Sequence, residues 1–207
     1  NNSTGYIGST GAAVIQSAQV TNVNGQINSQ NTLDLTGTGV DNRTGQIQSL
    51  GNLSIGVGDG TISNDTGLIR SGATTTLNAG TVINTNTQTA NTGIEGVSVK
   101  INANTVDNTS GAIRADEVLN ITGSGTVNNS NGLITSTNSV AITDPNATKT
   151  QTVINTNGTI IAGTNNIIDA KSLTGDGKVI STQDVSIHLT DDFTANTVLQ
   201  AGNNLSL

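Results

Sequence analysis

Cysteine is absent from this chain, which excludes a disulfide framework and any thiolate metal site. Methionine and tryptophan are absent too, and Tyr6 and Phe193 are the only aromatics in 207 residues. A compact globule of this length draws on several aromatics as core fillers, so a narrow core of fixed cross-section is expected instead. Positive charge is scarce: 7 Lys and Arg stand against 14 Asp and Glu, a formal net charge of -7. An acidic chain without a basic cluster repels phosphate backbones, which argues against a nucleic-acid partner. No apolar run approaches membrane-spanning length, so no membrane insertion is expected. Charged residues make up only 10% of the chain, too few for a charge-solvated disordered polymer. The chain begins at Asn1 without Met or a signal peptide, and reads as a piece of a longer, processed polypeptide.

What is present is a repeat. V-D-N-R-T-G-Q-I-Q-S-L-G-N-L-S-I (Val40 to Ile55) and V-N-N-S-N-G-L-I-T-S-T-N-S-V-A-I (Val127 to Ile142) are its clearest copies. Ten copies can be anchored on Gly5, Gly25, Gly45, Gly67, Thr87, Gly111, Gly132, Gly158, Gly177 and Thr197, at intervals of 19 to 26 residues. A unit this short cannot bury its own apolar face and must stack on its neighbours. Two residues past the anchor stand Ile7, Ile27, Ile47, Ile69, Thr89, Ile113, Ile134, Ile160, Val179 and Leu199. Ten past it stand Ile15, Leu35, Ile55, Leu77, Ile121, Ile142, Ile168, Ile187 and Leu207, with Ile101 filling the place in the fifth coil. Five before it stand Val20, Val40, Ile62, Val82, Val106, Val127 and Val153.

Apolar residues at even spacings with polar ones between them predict strands that bury one face. β-branched residues and regularly placed glycines argue against helix. The expected fold is all-β: a single-stranded parallel β-helix, or β-solenoid, running as one continuous body over residues 1–207. At about 4.8 Å per coil, ten coils give a rod roughly 45 Å long. Three residues before the anchor, Asn2, Asn22, Asn42, Asn64, Asn84, Asn108, Asn129 and Asn155 recur, with Thr174 and Thr194 in the last two coils. Asn tolerates left-handed backbone and bonds locally in turns, and stacked amides can bond along an axis, so this column reads as a structural turn ladder. Two insertions interrupt the period. One lies near residues 90–96 and carries Glu95; the other spans residues 143–151, with Asp144, Pro145, Asn146 and Lys149, and is a candidate partner-binding loop.

The string V-x-N-x-x-G-x-I-x-S-x-x-x-L-x-L resembles the haemagglutinin repeats of filamentous haemagglutinin and related two-partner secretion exoproteins, including the stalks of contact-dependent growth inhibition toxins. The likeness covers essentially the whole chain. It implies a right-handed parallel β-helix, secreted to the bacterial cell surface and displayed as part of a fibrous adhesin or toxin-delivery stalk. It also implies an outer-membrane transporter as partner of the parent protein, and a host or target-cell receptor or glycan as its ligand. Asn-Pro motifs of the family's secretion domain are missing, since the one proline lies in Asp144-Pro145-Asn146, so the chain reads as internal repeats. Coils cut open at either end are expected to pair end to end.

Catalytic chemistry finds little purchase. His188 follows the inward-type Ile187 and should point outward; Asp184, Asp191 and Asp192 are near it in sequence and could form a weak acid/base or cation cluster, but are read as a solvated face. Asp41 and Asp107 share an offset three coils apart, about 14 Å, too far to act as a pair. Arg70 and Arg114 share another, roughly 10 Å apart, and are read as solvated charges rather than an anion site. Neither enzymatic activity nor a cofactor or metal is expected. A β-helix carbohydrate-active enzyme or carbohydrate-binding module is the first alternative. A Thr-rich ice-binding solenoid is the second, weakened because Thr74 to Thr76 and Thr85, Thr87 and Thr89 do not recur at a fixed column.

Overall fold

The computed structural model describes residues 1–193 and 196–207. These residues form 24 strands and no helix, and all strands belong to one hydrogen-bonded sheet with parallel pairing throughout. Each coil contributes up to three strands, exemplified by Gln26–Ser29, Leu33–Thr36 and Gly39–Asp41. Each strand pairs with its counterpart one repeat on: Ile27 with Ile47, Leu35 with Ile55, Val40 with Ile62. Ten strands, from Tyr6–Ser9 to Val198–Ala201, stack in the first column, which makes a parallel β-solenoid of about ten turns.

Register turns the aliphatic columns into continuous internal stacks. Ile27, Ile47, Ile69, Ile113, Ile134, Ile160 and Val179 are at most 1% exposed, while Leu199 in the last coil is partly buried. In the fifth coil this place belongs to Ile94, which pairs with Ile69 on one side and Ile113 on the other, not to Thr89. Counting forward from Thr87 misses this because the extra residues come directly after the turn: 88–92 leave the coil and Gly93 rejoins it opposite Leu68. The insertion therefore lies at 88–92 rather than 90–96, and Glu95 stands on the strand Gly93–Asp107. The position ten past the anchor runs unbroken from Ile15 to Ile187 through Ile101. Leu173 extends the third stack beyond Val153.

A fourth inward column lies two residues earlier than the Ile101 one: Ala13, Leu33, Leu53, Thr75, Val99, Leu119, Val140, Asn166, Val185 and Leu205. Its two polar members are fully buried. Thr75 donates its hydroxyl to Glu95 O at 2.7 Å. Asn166 donates to Ile160 O and Ile180 O at 3.2 Å, but its Oδ1 has no partner.

Asn22, Asn42, Asn64, Asn84, Asn108, Asn129 and Asn155 are each 0% exposed. From Asn2 to Asn155 every Nδ2 donates to the Oδ1 of the next coil's Asn, at 2.6 to 2.8 Å. The amide also reaches backbone: Asn42 Nδ2 meets Leu68 O at 2.9 Å and Gly45 O at 3.3 Å. At the last rung Asn155 turns to Lys178 O, and Thr174 stands exposed in the next coil. Thr194 lies outside the described residues.

The Asn residues are not the left-handed ones. That conformation falls two residues later, at Thr4, Asn24, Thr44, Thr66, Asn86, Ser110, Asn131 and Asn157, with φ of 51° to 57°. The turn closes when the anchor glycine donates its N–H to the Asn carbonyl, as Gly45 does to Asn42 O at 3.1 Å. The glycine is needed for space rather than for its φ. A Cβ on Gly132 would stand 2.3 Å from Asn108 O and 2.4 Å from Asn129 Oδ1.

Asn108→Ala removes two amide–amide bonds and strands the buried partners on Asn84 and Asn129, an expected loss of about 3 kcal/mol. Asn165→Ala, on an exposed side chain, should change stability by less than about 0.5 kcal/mol. Urea unfolding measures both, and equal midpoints would contradict a ladder that carries stability. Asn166→Leu should raise stability by about 1 kcal/mol, because it restores the stack and removes an unpartnered buried oxygen. A lower melting temperature for that variant would count against this account.

Candidate functional site

Residues three past each anchor lie between buried ones and face outward from the first strand column, as do those one past it on coils one to three; Leu68 on the fourth coil is buried. On coils one to four this outer face is hollowed into a groove of about 670 Å³. Tyr6, Asn28, Gln30, Gln48, Leu50 and Arg70 supply its large side chains, and Gly, Ser and Thr supply the rest. None of its lining residues is acidic, although the chain carries 14 Asp and Glu. Tyr6 and Leu50 are 68% and 70% exposed. The Tyr6 ring lies over Gly8, where an added Cβ would meet Cε1 and Oη at 2.5 Å. Asn28 Oδ1 is buried without a donor, and Gln48 Nε2 donates to Gln46 Oε1 at 3.0 Å.

The groove ends on a row of charges. Arg70, Glu95 and Arg114 occupy one outward column on three successive coils, since Glu95 pairs in register with both arginines. Arg70 Nε donates to Glu95 Oε2 at 2.6 Å and Arg114 Nη1 to Glu95 Oε1 at 3.0 Å. The two arginines are therefore not isolated solvated charges. Glu95 bridges them; placing the insertion at 90–96 put Glu95 inside it, whereas the extra residues end at 92 and Glu95 stands on the coil. Arg114 also holds the 88–92 loop through Thr92 O and Gln88 O, while Gln88 Nε2 reaches Asn131 O. That loop is thus tied down over coils six and seven.

The second loop is organised by its own acid. Asp144 is 1% exposed and accepts from the N–H groups of Asn146, Thr150 and Gln151 and from the Thr150 hydroxyl. Burial pushes this carboxyl up, but those donors outweigh it and hold the pKa at about 2. Lys149 Nζ meets Asp144 O at 2.7 Å and Asp169 Oδ2 at 2.8 Å. Of the four residues proposed to meet a partner, Asp144 is committed within the loop and Lys149 to Asp144 O and Asp169 on the next coil, while Pro145 and Asn146 stand exposed.

The remaining candidates are scattered. His188 is exposed beside Asp169, its register partner. Asp184 accepts from Asn203 and Asn204. The Arg43 side chain hydrogen-bonds Asp41 and holds its carboxyl below the usual range, while Asp107 accepts from Thr109. Among the described residues no three His, Cys, Asp or Glu side chains gather as a metal site, and no helix is long and apolar enough to cross a membrane. Thr74, Thr75 and Thr76 meet no threonine on the neighbouring coils, but a different threonine column does exist. Thr61, Thr81 and Thr105 pair in register, as do Thr126 and Thr152. The outward column two residues on reads Ser63, Ile83, Asp107, Asn128 and Ile154, so no double threonine array forms. No protein-family model, curated protein or solved structure matches the chain.

A carboxyl with a folded pKa below its unfolded value stabilises above the unfolded value, near pH 3.9, and loses that contribution as pH falls towards about 2. Asp144→Asn should therefore flatten the acid limb of stability between about pH 4 and pH 2. Thermal melts across that range measure it; parallel curves for the two proteins would be inconsistent with the assigned role.

Proposed function

We propose that this chain is a rod-forming repeat segment of a secreted, surface-displayed bacterial filamentous adhesin, a haemagglutinin-type stalk serving adhesion or contact-dependent toxin delivery. The observation that supports it best is the unbroken stack: each coil is joined to the next by parallel backbone pairing, aliphatic contact and, through eight coils, a buried amide bond. In such an array stability is approximately a sum of coil and nearest-neighbour terms, so length is added without redesigning a core. That suits a spacer which carries other modules away from a cell.

The same architecture suits passage through a two-partner transporter in the outer membrane. An emerging coil finds its template in the coil already outside, and the hydrogen bonds it makes there oppose its return. Fused behind the secretion domain of a two-partner exoprotein and expressed with the cognate transporter, the chain is expected on the cell surface in protease-resistant form. Ile113→Asp places a charge in the fully buried stack. It should stall export or leave the chain open to added protease. Secretion and resistance equal to the parent fusion would sink the export part of this reading.

A further inference from the structure

The groove on coils one to four has the chemistry of a saccharide site with an anion clamp at one end. We propose that it binds an extended oligosaccharide bearing a carboxylate, with a sugar ring on Tyr6 and the carboxylate on Arg70. Three features carry this. First, the Tyr6 ring is backed by the bare backbone of Gly8 while remaining 68% exposed, so an aromatic face is offered to solvent at a fixed place. Aromatic rings of this kind pack on the apolar faces of sugars. Second, the walls between Tyr6 and Arg70 are amides and hydroxyls with no carboxylate among them. Amides both donate and accept, which matches sugar hydroxyls, and the Asn28 oxygen still lacks a donor.

Third, Arg70 is aimed. Glu95 holds Nε at 2.6 Å and is itself held by Arg114, so the guanidinium plane is set by a second ion pair. Nη1 and Nη2 have no hydrogen-bond acceptor among the described residues, and the side chain is 36% exposed. The outer edge of the fork thus presents two parallel N–H groups, the geometry that a planar carboxylate accepts bidentately. Two positive charges against one negative leave the row with an excess of one positive charge, or none if the nearby Asp116 is included. That argues for a single anionic group at Arg70 rather than a polyanion, and one arginine in the groove is too little for a nucleic acid. A peptide adding as a strand needs an open sheet edge; on this face only Tyr6–Ser9 has one, and a strand added there would cross the Tyr6 end of the groove rather than run along it. Tyr6 and Arg70 lie three coils apart, about 14 Å at the stacking distance, so the ligand spans several sugars.

The site is independent of the rod's place in an adhesin, and its failure would leave the stalk reading untouched. The test is titration of the whole chain with a short oligouronate, its carboxyl-reduced neutral counterpart, and a sulfated oligosaccharide of equal length. The oligouronate is expected to bind, and Arg70→Gln to weaken it at least about tenfold, while leaving the weaker neutral counterpart unchanged. Tyr6→Ala should weaken both sugars alike, and Arg43→Gln, on another face, neither. Circular dichroism of each variant checks that the fold is retained. Absence of oligouronate binding at millimolar concentration, equal loss in Arg43→Gln, or tighter binding of the sulfated chain would overturn the assignment.

Discussion

Everything in this molecule depends on identical positions lying directly above one another. The tightest expression of that constraint is the buried asparagine column. Each amide accepts from the coil before and donates to the coil after. Buried amides without such partners would cost free energy, so neighbouring coils are held to one relative register. The glycine three residues on belongs to the same device, because any side chain there would strike both the Asn oxygen of its own coil and the Asn carbonyl of the coil before. Asn and Gly are thus one unit, and the left-handed residue between them lets the chain turn so that both can occupy their places.

With register held, the aliphatic stacks need no large side chains. Ile, Val and Leu at about 4.8 Å spacing fill a core a few residues wide, which explains how two aromatics suffice for 207 residues. Tyr6 is accordingly released from packing and sits outside, and Phe193 is partly buried at the edge of the core near one end.

Much of this was legible in the sequence. Spacing alone placed Ile47, Ile69, Ile113 and Ile134 in one stack and Asn42, Asn64 and Asn108 in another, because a solenoid repeats one local environment and each copy reinforces the others. What spacing could not place were the departures. Thr89 was assigned a core position that Ile94 holds, since a length difference says that residues are extra but not where the chain leaves the coil. Glu95 followed the same error, and with it the bridge between Arg70 and Arg114. Thr75 and Asn166 are fully buried where pattern calls for aliphatics, their polarity met in part by backbone carbonyls that only the fold brings near. The groove was invisible for a different reason: its walls come from +1, +3, +4 and +5 positions on four coils, and apart from the serine at +4 those positions carry no shared residue type.

The asparagine column also has a direction. Backbone pairing along the rod sends N–H groups both ways, as when Gln26 N reaches back to Gly5 O while Asn22 N reaches forward to Asp41 O. The side-chain amides of the buried column, from Asn2 to Asn155, all point one way. At about 3.5 D per amide, eight of them in line contribute a few tens of debye along the axis. The rod is therefore an electrical vector as well as a spacer, with one end distinguishable from the other by field alone. Rods lying side by side would favour antiparallel over parallel bundling on that account.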